Sequence, residues 1–153
     1  MKIVDFSKLE KKTNYTFKNK ELLKTAFTHK TFAFEAKTPI EYNERFEFLG
    51  DSILGFLVSK ELYKSNKYFS EGELTRRRAQ LVNNSFLYEK AKKMNLGNFL
   101  YLGKGEKMQE GAKNPTNLAN TLEALVGAVY LDSDIKTVWK FIKHNIFDEI
   151  KQF

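Results

Sequence analysis

The sequence predicts an all-α fold, with residues 1–153 forming one domain. Three observations carry this expectation. Apolar residues recur at helical spacing in segment after segment, whereas strand-like alternation is scarce. The only two prolines, Pro39 and Pro115, fall between helical patterns. A chain of 153 residues with 42% hydrophobic content and 14 Phe is long and apolar enough for a sizeable core.

Some seven or eight helices are expected. The first covers about residues 7–12. Asn19 reads as the N-cap of a second, over residues 20–27. Residues 29–40 read as irregular, with at most a short turn. A long central helix follows over about 42–64. Ser70 reads as the cap of the next, with Glu71 and Glu73 in its first turn, running to about residue 82. Asn84 or Ser85 opens another, with Phe86, Leu87, Ala91 and Met94 on its apolar face and Gly97 at its end. Residues 102–115, rich in Gly and Lys, read as a mobile basic loop, either a plain connection or a nucleic-acid contact. Leu118, Leu122, Leu125, Val126 and Val129 mark a helix over about 116–131. Asp134 caps the last helix, with Val138, Trp139, Phe141, Ile142 and Ile146 facing inward.

Glu44, Glu47 and Asp51 sit at i, i+3 and i+7 of the central helix, within a sector of roughly 60°. Around them Phe46, Phe48, Leu49, Leu54, Phe56, Leu57 and Val58 spread over most of the wheel. A helix that is apolar nearly all round is expected to be buried. None of the three acids has a base at i+4, where Phe48, Asp51 and Gly55 stand instead. Buried, unpaired carboxylates must protonate or gain a positive charge from elsewhere. A divalent cation meets that need, and an oxygen-only ligand set suits magnesium or manganese. The plainer alternative is that these are first-turn acids favouring the helix dipole, with partners from other segments.

Glu123 supplies a fourth carboxylate, again without a base nearby: Gly127 stands at i+4 and Asn120 at i−3. Small residues around it, Ala124, Gly127 and Ala128, allow close helix packing. If the two helices lie side by side, Glu47, Asp51 and Glu123 converge with Asn120 on one cation. The alternative is a Glu123 that is hydrogen-bonded within a helix interface.

Composition narrows the function. Cysteine is absent, which excludes disulfides and thiolate metal sites. Two His without ligand spacing argue against zinc. No apolar run approaches membrane-spanning length and the N-terminus has no signal-peptide core, so a cytoplasmic protein without membrane partners is expected. The formal net charge is +7, with a pI near 9.4. A basic exterior attracts a polyanion while an acidic cluster holds the metal ions that act on it.

Four motifs, in order, point to one family. Glu44-Arg45-Phe46-Glu47-Phe48-Leu49-Gly50-Asp51-Ser52 resembles the signature of ribonuclease III, the double-stranded-RNA endonuclease. The segment 15–23 and Thr28-His29-Lys30 resemble its N-terminal helices. Residues 71–82 resemble its middle segment, and 118–125 its last acidic motif. The resemblance implies that Glu47, Asp51 and Glu123 bind magnesium (or manganese in its place) and catalyse, with Asn120 at a fourth ligand position. It implies that Glu44 and Glu71 line the active valley of a homodimer, and that Phe48 plugs a pocket of the partner subunit. The implied reaction is phosphodiester hydrolysis in double-stranded RNA without an organic cofactor, giving 5′-phosphate and 3′-hydroxyl ends with two-nucleotide 3′ overhangs.

Two departures from the family pattern matter. Asn120 stands where the family usually has Asp, which removes one negative charge and predicts weaker metal affinity and reduced cleavage. The resemblance also covers the endonuclease domain without the family's double-stranded-RNA-binding domain, which predicts weaker, strongly salt-dependent binding by this domain. Of Arg76, Arg77 and Arg78, one or two are expected to contact phosphate and the rest to form surface salt bridges. A catalytically impaired ribonuclease III-like protein that binds or scaffolds RNA is the second reading. A structural dimerisation protein, the third, explains Phe48 but not the acids.

Overall fold

Nine α-helices and two 3₁₀ turns lie within residues 4–150 and 153, the part of the chain that the computed structural model describes. The helices are α1 (Ser7–Thr13), α2 (Lys20–Ala26), α3 (Lys30–Glu35), α4 (Glu44–Ser65), α5 (Glu71–Val82), α6 (Asn84–Lys93), α7 (Lys104–Met108), α8 (Pro115–Asp132) and α9 (Ile135–Asn145). The 3₁₀ turns are Leu96–Phe99 and Gly111–Lys113. The one extended pairing among the described residues is an isolated parallel bridge between Thr28 and Tyr101. The all-α expectation holds, with one or two helices more than expected.

Local chemistry sets the helix starts. Asn19 accepts from the Glu21 amide at 3.0 Å, and Asp134 from the Thr137 amide at 2.8 Å. Ser70 and Glu73 form a reciprocal capping box on α5. α8 begins with Asn114 as its cap and Pro115 at the first helical position, where a missing N–H costs nothing.

Three local expectations need correction. Within the stretch expected to be irregular, residues 30–35 are helical, because His29 itself caps α3, while 36–40 are irregular as expected. The segment expected to be a mobile loop is ordered and contains α7. Its amides at Gly103 and Lys104 donate to Thr31 Oγ1 (3.0 Å) and Glu35 Oε1 (2.9 Å), and Asn117 holds both Glu106 (2.6 Å) and the Gly111 carbonyl (3.1 Å). α6 is capped by Asn83, one residue early. It stops where Asn95 turns left-handed (φ 58°), not at Gly97. Gly97 is small for a different reason: a side chain there would strike the Ala112 carbonyl oxygen. Trp139 packs inward as expected, half-buried against the edge of the core and the Phe153 ring.

Every residue from 121 to 129 of α8 is buried. Its principal neighbour is α4, with α6, α2 and α9 completing the surround. α4 buries Gly50, Ile53, Leu54, Leu57, Val58 and Leu62. Contrary to expectation it is not buried all round: Phe48 (78% exposed), Phe56 and Tyr63 stand in solvent.

α4 and α8 cross backbone to backbone. A methyl group at Gly50 would overlap the carbonyl oxygen of Glu123 and lie 2.6 Å from its carbonyl carbon. A methyl group at Gly127 would overlap the Phe46 carbonyl oxygen. Each helix therefore needs a glycine at the crossing. Gly50→Ala is expected to cost ~1–3 kcal/mol or more through overpacking against an atom that cannot move aside. Gly105→Ala, where a methyl meets nothing within 4 Å, is expected to be neutral or stabilising by up to ~1 kcal/mol. Urea denaturation of the two variants checks the opposite signs.

Candidate active site

The glycine crossing decides which acids meet. Glu47 and Asp51 flank Gly50 on α4, and Glu123 lies one turn before Gly127 on α8. Glu123 is buried, at 8% exposure, yet accepts no ion pair among the described residues. Its carboxyl is pushed up to about 8, first by burial and then by the charges of Asp51 and Glu47. Glu47 is half-buried and its carboxyl is also raised, by burial and then by Glu44, with Asp51 adding a smaller push. The two helices thus bring Glu47, Asp51 and Glu123 within electrostatic reach of one another. Asn120, half-buried, lies one turn before Glu123 on the same helix.

Burial is graded, not uniform as expected. Glu123 is inside and Glu47 is at the boundary, while Glu44 and Asp51 are exposed. For Glu44 the plainer alternative, a partner from another segment, holds. Lys30 on α3 reaches it at 3.0 Å, and the same charge opposes part of the rise of the Glu47 carboxyl. The partner comes from another segment, so spacing along α4 could not reveal it.

Among the described residues, no group of three or more His, Cys, Asp or Glu converges closely enough to enclose a metal ion. The donor set nevertheless suits a hard divalent cation. It consists of oxygens alone, two of its carboxyls are raised by burial and then by the charge of neighbouring acids, and its open side faces solvent. Glu47, Asp51, Asn120 and Glu123 are the residues that could hold one.

The remaining site residues lie apart from this cluster. Glu71 is exposed at the start of α5, where its carboxylate accepts from Thr75 Oγ1 at 2.7 Å. It is not among the charges acting on Glu47 or Glu123. Phe48 lines a surface groove with Phe46, Leu49 and Leu131. Among the described residues, neither Arg77 nor Arg78 forms the expected surface salt bridge. Arg77 stacks its guanidinium 4.0 Å from the Phe69 ring centre, and Arg78 donates to Ser59 at 3.1 Å. Arg76 is exposed.

The raised carboxyls have a consequence for stability. Between about pH 4.5 and 8 the native chain binds more protons at Glu123 than the unfolded chain does, and Glu47 acts in the same direction. The contribution is full below the unfolded value of 4.5 and is lost as pH rises through about 8. Denaturation in a metal-chelating buffer is therefore expected to give falling stability from pH 5.5 to 8.5. Glu123→Gln should flatten most of that fall.

Comparison with known proteins extends the likeness beyond this cluster. A model of the Ribonuclease-III-like family matches residues 19–150, which takes in both acid-bearing helices. Ribonuclease 3 of Clostridium kluyveri is 42% identical over 151 residues, covering 99% of this chain and 62% of that protein. Ribonuclease 3 of Caldanaerobacter subterraneus subsp. tengcongensis is 45% identical over 142 residues, covering 93% of this chain and 62% of that protein. The chain thus spans about three fifths of the length of these curated relatives. The crystal structure of the nuclease domain of Campylobacter jejuni ribonuclease III is similar with a TM-score of 0.88 at 34% identity, over 99% of both chains. A second structure of that domain, described as flexible in a region involved in dimer formation, gives 0.83 at 35% identity over 92% of this chain and 98% of the other. With the family model matching residues 19–150 and the fold shared with the nuclease domain over its whole length, the chain belongs to the ribonuclease III-like family.

Proposed function

We propose that this domain is a magnesium-dependent endoribonuclease that hydrolyses double-stranded RNA as a homodimer in the cytoplasm. The observation that carries the proposal is Glu123, a buried carboxyl set against Asp51 and Glu47 with no side-chain cation of its own among the described residues. Such an arrangement costs stability and has no value to the core. It has a use where a divalent cation is to be bound. Relatives named Ribonuclease 3 support the reaction class.

Glu47, Asp51 and Glu123 would hold magnesium, with the Asn120 amide oxygen as a neutral ligand. When bound, magnesium supplies Lewis-acid stabilisation of charge on the phosphate and makes water a stronger nucleophile at neutral pH. The protein's own residues do the rest. Buried Glu123 sets a low-dielectric inner wall. Exposed Asp51 and half-buried Glu47 face the side from which RNA arrives. Glu44 and Glu71 line the valley along which the duplex lies. The net charge of +7 draws the polyanion to it. Two sites, one per protomer, cut opposite strands and leave 5′-phosphate and 3′-hydroxyl ends with two-nucleotide 3′ overhangs.

The exposed Phe48 ring and the groove beside it support the homodimer. A ring 78% exposed on a rigid helix is unfavourable in a monomer and finds cover in a partner subunit. Phe48→Asp is expected to shift the protein to a monomer in sedimentation equilibrium and to abolish duplex cleavage. A Phe48→Asp protein that still sediments as a dimer would count against this contact.

One observation favours a second reading, a catalytically impaired RNA-binding domain: Asn120 lowers the charge of the ligand set. A perfect RNA duplex incubated with and without magnesium separates the two. Magnesium-dependent cleavage is expected. Glu123→Gln should abolish cleavage and leave duplex binding within a fewfold. Asn120→Asp should raise cleavage most at limiting magnesium; equal rates there would remove the case for attenuation.

A further inference from the structure

We infer that Lys30 is a positioning residue, the acidic site's resident cation, which holds Glu44 and competes with a divalent cation for the charge of the cluster. The inference rests on the nuclease reading above and adds to it a residue that tunes how tightly the metal is held.

The geometry places Lys30 with care. The segment before it is stapled at two points: the Asn43 amide donates to the Thr28 carbonyl at 2.9 Å, and the His29 amide to the Tyr101 carbonyl at 3.0 Å. Asn43 is the residue immediately before α4, so the first turn of α3 is fixed beside the first turn of α4. His29 Nδ1, 2.8 Å from Thr31 Oγ1, locks the start of α3. From there Lys30 Nζ lies 3.0 Å from Glu44 Oε1 and within electrostatic reach of Glu47. Among the described residues it is the cation that bears on Glu47, and none bears on Glu123.

Stability does not explain the pair. Both side chains are about half exposed, and such surface pairs contribute between nothing and ~1 kcal/mol. A lysine in the first turn of a helix also opposes that helix's own dipole. Charge does explain it. Four carboxyls, Glu44, Glu47, Asp51 and Glu123, share this region, and Lys30 offsets part of their repulsion while no metal is present. The same positive charge opposes entry of a divalent ion. A unit charge within about one Debye length of a divalent site changes its affinity by roughly three- to tenfold.

The test is calorimetric titration of Mn²⁺ into the full chain, stripped of metal, at fixed ionic strength. Lys30→Met is expected to bind Mn²⁺ about three- to tenfold more tightly than the parent protein. Lys30→Arg, which keeps the charge, should stay within about twofold. Half-saturation of RNA cleavage by magnesium should move in the same order. A merely structural role predicts the opposite, weaker binding by Lys30→Met. That result, or a titration equal to the parent's, overturns the inference. If Lys30→Met does not fold, Lys30→Gln carries the same expectations. Asp51→Asn separates the two layers of argument. If it abolishes Mn²⁺ binding while Lys30→Met matches the parent, this inference alone fails. If the parent protein itself takes up no Mn²⁺, the metal-dependent nuclease reading fails with it.

Discussion

The contact on which the rest depends is the crossing of α4 and α8 at Gly50 and Gly127. Neither glycine is needed for an unusual backbone angle; among the described residues no glycine has positive φ. Both are needed because main-chain atoms of the other helix occupy the space of a side chain. Closeness of this kind fixes the rotation of each helix as well as its distance. With Gly50 against the Glu123 carbonyl, Glu47 and Asp51 are bound to fall on the α8 side, and Glu123 cannot turn away to solvent. The desolvation that raises Glu123 is thus a product of backbone packing, with no dedicated pocket required.

The core has to offset that arrangement. Holding a carboxyl at about 8 instead of 4.5 costs on the order of a few kcal/mol when it ionises, at ~1.4 kcal/mol per pH unit. Leu54, Leu57, Val58 and Leu62 on α4, and Leu122, Leu125, Val126 and Val129 on α8, are all at 2% exposure or less. Each contributes ~1.5–3 kcal/mol on burial, before chain entropy is set against it. Two or three such residues balance one misplaced acid. The grading of exposure across the site follows from the same crossing. Glu123 sits at the seam, Glu47 beside it, and Asp51 and Glu44 on the wet side, where a hydrated cation and a polyanion can approach.

What could be read from the residues divides along physical lines. Helices and caps were legible because their causes are local: Asn19, Ser70 and Asp134 each bind an amide two or three residues on. The two acid-bearing helices were legible from apolar spacing and from acids without a base one turn away. Three features were not, because each depends on residues distant in sequence. Lys30 pairs with Glu44 only because α3 is stapled to the start of α4. The Gly-rich segment around α7 is ordered only because Thr31, Glu35 and Asn117 supply its partners. Gly97 resembles a helix stop, yet its smallness is set by the Ala112 carbonyl across the fold. The apolar surplus of α4 misled for a related reason. Periodicity counts apolar residues but cannot say whether their cover comes from this chain or from another.

That last point joins assembly to chemistry. On a helical wheel centred on Glu47, the buried residues Gly50, Ile53, Leu54, Leu57, Val58 and Leu62 span roughly −120° to 60°, the acids lie at the edge of that span at roughly 0° to 60°, and Phe48, Phe56 and Tyr63 lie at roughly 100° to 180°. On its first turns the helix therefore carries the acids along the edge of the intramolecular seam that adjoins the exposed aromatic face. A subunit that covers the aromatic face comes to rest beside the acids, and can add its own groups to the wet side that this chain leaves open. Any rotation of α4 that improved its cover of Phe48 would carry Glu47 away from Glu123, but the glycine crossing forbids that rotation. The cover that the proposed homodimer would give the exposed ring therefore has to come from outside, beside the acids that the same packing positions.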